Sequence, residues 1–180
     1  MKNIYLALIT LVTLASYTVV ALQWKYVPEN AVVKFTLYEK EGVEEGVFTG
    51  LTGSVDFNEN DLKTSTLNAT IKVATVNSGI EMRDESLRSK DFFETDKYPT
   101  IQFISTSFIK TDTGYCAMGN LKIKAVTKQI ELPFTYKKIT DSTAAFKGHF
   151  TINRYEYGIG TKGDGVGNIV RLDLNIPIRR

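Results

Sequence analysis

An all-β fold is predicted, an eight-stranded up-and-down antiparallel β-barrel with one short helix at about residues 79–90. Through most of the chain, apolar and polar residues alternate with a period of two, which sends successive side chains to opposite faces of a strand. Short breaks of turn-forming residues separate the runs, so that neighbours in sequence become antiparallel neighbours in space. One stretch abandons the period and carries helix-start chemistry instead.

In chain order, the first inward face is Val33, Phe35 and Leu37, opposite Val32, Lys34 and Thr36. The second is Leu51, Gly53, Val55 and Phe57, and the third Leu67, Ala69, Ile71 and Val73. After the helical stretch come Ile101 and Phe103, then Gly119, Leu121 and Ile123. Ile130, Leu132, Phe134 and Tyr136 follow, then Phe146, Gly148, Phe150 and Ile152, and finally Val170, Leu172, Leu174, Ile176 and Ile178. Turns are read at Asn58-Glu59-Asn60-Asp61, Thr111-Asp112-Thr113-Gly114 and Thr140-Asp141-Ser142. Eight such strands close into a barrel that is filled by side chains or holds one small ligand, and closure removes exposed edges. A two-sheet sandwich carries the same alternation.

The aperiodic stretch from Ser78 to Phe93 opens with Ser78-x-x-Glu81, the spacing of a capping box, and is read as a helix from about Gly79 to Lys90 lying across one barrel end. Asp84 and Arg88 stand four apart and are expected to pair, while Ile80 and Leu87 supply a thin apolar stripe. The stretch from Asn153 to Asn168, with glycines at 158, 160, 163, 165 and 167, reads as a flexible loop at a barrel rim. Its Gly158-x-Gly160-x-x-Gly163 spacing lacks the following helix of a dinucleotide site.

Residues 1–21 differ from the rest: Lys2, an apolar run from Ile4 to Val20, then Val19-Val20-Ala21. This layout predicts a secretory signal peptide cut after Ala21, hence a periplasmic or secreted protein, with an uncleaved anchor as the alternative. The remaining 159 residues suit one domain with a real core, over 22–180. They carry 21 basic and 20 acidic side chains, a balance that excludes the clustered positive face of a nucleic-acid binder. Cys116 is the only cysteine and His149 the only histidine, so neither an intrachain disulfide nor a metal site of several thiolates or imidazoles can be built. Both fall on outward phases of their strands. With one histidine and no motif around it, no catalytic residues, metal or cofactor are expected.

The chain also resembles a bacterial family, the YceI-like proteins, over nearly all of residues 22–180. The residues that carry the resemblance are Trp24, Gly46-Val47-Phe48 and Gly53, then Arg83-Asp84-x-x-Leu87-x-Ser89-x-Asp91-Phe92-Phe93 and Tyr98-Pro99-x-Ile101-x-Phe103-x-Ser105-Thr106. Later come Gly119-x-Leu121-x-Ile123, Val126-Thr127-Lys128, Arg154, Tyr157-Gly158 and Val166-Gly167. Ser86 stands where the family often has histidine, and Ala125 where it often has glycine. The resemblance implies a lipocalin-like barrel whose elongated cavity takes an isoprenoid-type chain, such as a polyprenyl phosphate or an isoprenoid quinone.

On either footing the ligand-lining candidates are Phe35, Leu37, Phe57, Ile71, Val73, Phe92, Phe103, Ile123, Phe134, Phe150 and Leu172. For each, plain core packing is the competing role. Gly53, Gly119 and Gly148 sit on inward phases and either bend the wall or leave room inside. Arg83, Asp84 and Arg154 are rim candidates, either meeting a lipid head group or forming an Arg–Asp pair that fastens the helix to the rim. The function expected is non-catalytic sequestration or carriage of an isoprenoid or other long-chain lipid, with room for transient membrane contact and a homodimer. The alternative is an interaction scaffold that docks a membrane or redox partner through the helix and glycine-rich loop.

Overall fold

The computed structural model describes residues 24–27, 30–38 and 42–180; the signal segment read at 1–21 lies outside them. Among the described residues there are eleven strands: β1 (Trp24–Tyr26), β2 (Val32–Tyr38), β3 (Val43–Phe48), β4 (Leu51–Asp56), β5 (Thr66–Lys72), β6 (Val76–Asn77), β7 (Thr100–Thr111), β8 (Gly114–Ile123), β9 (Val126–Lys138), β10 (Thr143–Asn153) and β11 (Ile169–Arg179). One helix, α1, runs from Glu81 to Arg88.

Hydrogen bonding joins β1, β4, β5, β7, β8, β9, β10 and β11 in that order, and β1 pairs back to β11, which closes an eight-membered antiparallel ring. Closure excludes the sandwich. The three extra strands continue ring members rather than adding to them. β2 lies on β11 beyond β1, β3 lies on β2 and runs into β4 after Thr49 and Gly50, and β6 pairs with β3 as the far end of the β5 strand. Three of the eight predicted strands are thus long strands broken in two.

The alternation read from sequence holds: Val33, Leu51, Val55, Phe103, Leu121, Phe146 and Ile178 are all buried in one core cluster. One barrel end is closed. Phe57, just past β4, has Phe108, Tyr115, Phe134, Tyr136 and Phe146 within ring-centroid distances of 4.9–6.0 Å, mostly edge-on or tilted as ring quadrupoles prefer. Trp24 is buried at the same end beneath the guanidinium of Arg180, 4.7 Å from its ring. At the opposite end lie α1, Phe92-Phe93 and the glycine-rich loop.

α1 begins later than predicted, and the capping box does not form. Gly79 takes a positive φ of 78° and Ile80 is the N-cap, without a side-chain bond, which leaves Glu81 in the first helical turn. Asp84 instead ties down the segment that enters the helix: one of its carboxylate oxygens accepts from both the backbone N–H and the hydroxyl of Ser78, each at 2.7 Å. That geometry consumes Asp84, which is 5% exposed, so the expected Asp84–Arg88 pair is absent and Arg88 bonds Glu81 at 2.7 Å.

Candidate functional site

Above the aromatic floor the barrel encloses a cavity of about 370 Å³, within the range of small-molecule sites. Its wall is almost wholly apolar because the inward phases of the strands are: β2 gives Val33, Phe35 and Leu37, β5 Leu67, Ala69 and Ile71, and β11 Val170, Leu172, Leu174 and Ile176. Of the predicted lining residues, Phe35, Leu37, Ile71, Phe92, Phe103, Ile123, Phe134, Phe150 and Leu172 face the cavity. Two do not. Phe57 belongs to the floor, packed among five rings, and Val73, 1% exposed, sits in a 3₁₀ turn where the two-residue period fails.

Polar groups gather at the helix end, where Glu44, Glu45, Arg83 and Ser86 border the cavity. β3 and α1 are joined there by an Arg83–Glu44 ion pair, and Glu45 pairs with Lys34 at 2.7 Å. Leu87, Phe92 and Phe93 turn their apolar groups inward below them, and Phe93 packs edge-on against Phe48 at 5.9 Å. Arg83 is therefore at the rim, while Asp84 is turned away to hold Ser78.

Arg154 is 2% exposed and fastens the glycine-rich loop rather than the helix. Its two terminal nitrogens donate to the two carboxylate oxygens of Asp164 at 2.6 and 2.8 Å, a bidentate pair. Its remaining donors reach the carbonyls of Ile159, Val166 and Gly167 at 2.7–2.8 Å. The Arg154 hydrogen bonds hold the Asp164 carboxyl down at about 2, assisted by the N–H groups of Val166 and Thr161. The loop closes on Gly160, whose φ is +67° and whose absent Cβ would lie 2.1 Å from the guanidinium. A stretch that reads as flexible is thus organised about one buried cation, which turns Ile159 and Val166 onto the cavity.

The inward glycines admit neighbours and leave no room. A Cβ on Gly119 would meet the Phe103 ring at 2.4 Å, one on Gly148 the Pro133 carbonyl at 2.3 Å, and one on Gly53 the Asn68 carbonyl at 2.1 Å. His149 is exposed. Cys116 is on the outward phase yet 5% exposed, flanked by Ile109 and Pro133, and burial pushes its thiol pKa up. The Ser105 hydroxyl accepts from the Leu67 N–H at 2.8 Å beside a β-bulge, a ladder role. Among the described residues, no three His, Cys, Asp or Glu are grouped to hold a metal, and no helix is long and apolar enough to cross a membrane.

Comparison with known proteins fits this geometry. A YceI-like domain is matched over residues 24–178, which span the whole ring. The chain belongs to the YceI-like family. Among curated relatives it is 39% identical to a UPF0312 protein of Photorhabdus laumondii over 87 residues, 48% of this chain and 45% of that one. It is 31% identical to a UPF0312 protein of Yersinia enterocolitica over 131 residues, 73% and 62% of the respective chains. The matched regions thus span about half to three-fifths of those relatives. The fold matches BcnA of Burkholderia cenocepacia with a TM-score of 0.76 at 24% identity, covering 82% of this chain and 95% of that one. It also matches a polyisoprenoid binding domain from Saccharophagus degradans, at TM-score 0.67 and 13% identity, over 87% and 97%.

Several lining residues of this YceI-like barrel escaped the sequence reading. Tyr26 lies on a three-residue strand too short to show a period, Phe48 ends β3, whose Val-Glu-Glu-Gly-Val-Phe run does not alternate, and Ile159 and Val166 lie in the loop. The Tyr26 hydroxyl donates to the Asn68 carbonyl at 3.0 Å, and burial raises its pKa well above the usual phenol value. The isolated apolar residues of the glycine-rich loop were the available signal, since a solvated loop has no need of Ile159 or Val166.

Proposed function

We propose that this YceI-like protein sequesters or carries a long isoprenoid-type chain in its barrel lumen, without catalysis, in the periplasm or outside the cell. The observation that carries the reading is the lumen itself, a cavity of about 370 Å³ with an almost unbroken apolar wall above a closed aromatic floor. Transfer of hydrocarbon from water into such a space gains about 0.8 kcal/mol per methylene, less the cost of ordering the chain, so a long tail needs no polar contacts to be held. Among the described residues, no buried side-chain nitrogen or oxygen lacks a partner, so nothing within the wall awaits a polar ligand. The name of the Saccharophagus degradans neighbour, a polyisoprenoid binding domain, points the same way.

Charge at the rim favours an uncharged polar head, such as a quinone, over a phosphate. Arg83 is already paired with Glu44, Arg154 with Asp164 and Lys34 with Glu45, so each of these cations already has a carboxylate beside it. A phosphate would have to displace those carboxylates or lie beside them. Native mass spectrometry and lipid extraction of protein purified from its own host test the reading. A co-purifying isoprenoid, one per barrel, is the expected result; an empty barrel that takes up no isoprenoid on addition refutes it.

A further inference from the structure

The barrel wall is not bonded throughout. β9 and β10 pair from Lys138↔Ala144 to Phe134↔Gly148 and no further, although β9 runs back to Val126 and β10 on to Asn153. In the same register Glu131 would face Thr151, and Gln129 would face Asn153. Both strands stay fully paired on their other sides, to β8 as far as Val126↔Ile123 and to β11 as far as Asn153↔Ile169. The ladder stops for a chemical reason. Pro133 turns its carbonyl toward Gly148, where an added Cβ would lie 2.3 Å from that oxygen, and a strand residue presents its N–H on the same side as its C=O. Proline has no N–H to offer, so its rung cannot be completed, and prolines belong at such edges.

This gap lies in the helix-end half of the barrel, and the cavity reaches it: Leu132, Gly148, Phe150 and Ile152 flank the unpaired stretch and line the lumen. Its open end is bridged by lysine side chains: Lys124, in the β8–β9 turn, donates to the carbonyls of Phe92 and Gly158 at 2.7 and 2.8 Å. Lys128 on β9 meets Glu156, just beyond β10, at 2.5 Å, and both are about half exposed. Exposed pairs of this kind are weak and exchange readily with water.

We infer that the β9–β10 seam is the lateral portal through which a hydrocarbon chain enters and leaves the lumen, with Lys128–Glu156 as its latch. The inference rests on the lipid-binding reading above. A long tail slips sideways between strands unit by unit, and parting them there breaks no ladder bonds. Entry past α1 would instead require the Arg83–Glu44 pair and the Phe48–Phe93 contact to open together.

The test bridges the seam. In a Cys116→Ala background, Glu131→Cys with Thr151→Cys places two outward thiols across the gap, joined as a disulfide or, where the gap exceeds disulfide reach, by dibromobimane. Lys137→Cys with Ala145→Cys, in the zipped part of the same strand pair, is the control. Stopped-flow uptake of a nitrobenzoxadiazole-labelled farnesol from phosphatidylcholine vesicles is expected to slow at least tenfold, as is release, when the seam is bridged. Equilibrium affinity stays within twofold, and the control bridge changes neither rate. Equal rates with the seam bridged and reduced overturn the portal, as does equal slowing by both bridges. Absence of any binding by the reduced protein overturns the lipid reading and the portal with it. Amide hydrogen exchange checks the seam without ligand: Glu131 and Thr151 exchange faster than Thr135 and Lys147, and equal protection refutes an open seam whatever the barrel binds.

Discussion

Replacing Asp164 by asparagine removes the counter-charge of a guanidinium that is 2% exposed, while leaving the shape of the loop nearly unchanged. A carboxyl held at about 2, against an ordinary 3.8, corresponds to about 2 kcal/mol between the two protonation states, which solvent screening in this exposed loop reduces to about 1 kcal/mol. Stranding a buried cation adds to that, so the expected loss is about 2–4 kcal/mol. For a domain of this size that lowers Tm by roughly 5–12 °C. The sign of the pH dependence follows from the depressed value. The contribution is complete above about pH 4, where Asp164 would ionise even in the unfolded chain, and is lost as pH falls through about 2. Thermal unfolding by circular dichroism at pH 7 and at successive steps down to pH 2 should therefore show wild type and Asp164→Asn far apart at neutrality and converging in acid. A Tm difference that stays constant over that range would mean that packing, not charge, holds the loop, and a difference under 2 °C would refute the anchor altogether.

Other substitutions separate lumen from floor and helix. Ile71→Trp places a large ring in the cavity, so isoprenoid occupancy by native mass spectrometry should fall more than Tm does; equal losses would make the cavity ordinary core. Phe57→Ala should do the reverse, costing about 3–5 kcal/mol in denaturant unfolding while leaving occupancy per folded molecule unchanged. Asp84→Ala removes both bonds to Ser78 and should cost about 1–2 kcal/mol, with amide exchange accelerating within α1 ahead of the barrel; uniform acceleration would contradict its role as a local tie between helix and entry segment.

Much of this architecture was legible in the residues because a two-residue period reports directly which face of a sheet is buried. Leu67, Ala69 and Ile71, and Val170, Leu172, Leu174 and Ile176, are inward as read. Alternation gives facing but not height along the barrel axis, which is why Phe57 read as lining although it stands in the floor. It also fails wherever backbone geometry changes, as in the 3₁₀ turn that removes Val73 from the series. Ser78-x-x-Glu81 spells a capping box, but a positive φ at Gly79 shifts the helix start, and the Ser78 hydroxyl is taken up by Asp84, a position the motif does not contain. The role of Arg154 depends on Asp164, ten residues away across three glycines, a pairing that no local period encodes. Pro133, by contrast, stood in plain view inside an alternating run, where a proline marks a strand side without a full ladder.

The aromatic floor gives this barrel a fixed zero from which depth is measured. A guest seated against the Phe134 and Phe146 rings has its innermost carbon set by the protein, so each further carbon pushes its head outward by a constant increment. Guests of one chemistry but different length therefore present their heads at different levels, some at the Arg83–Glu44 rim and some beyond it. Moving the floor, and not repainting the mouth, is the substitution strategy that would retune such a ruler.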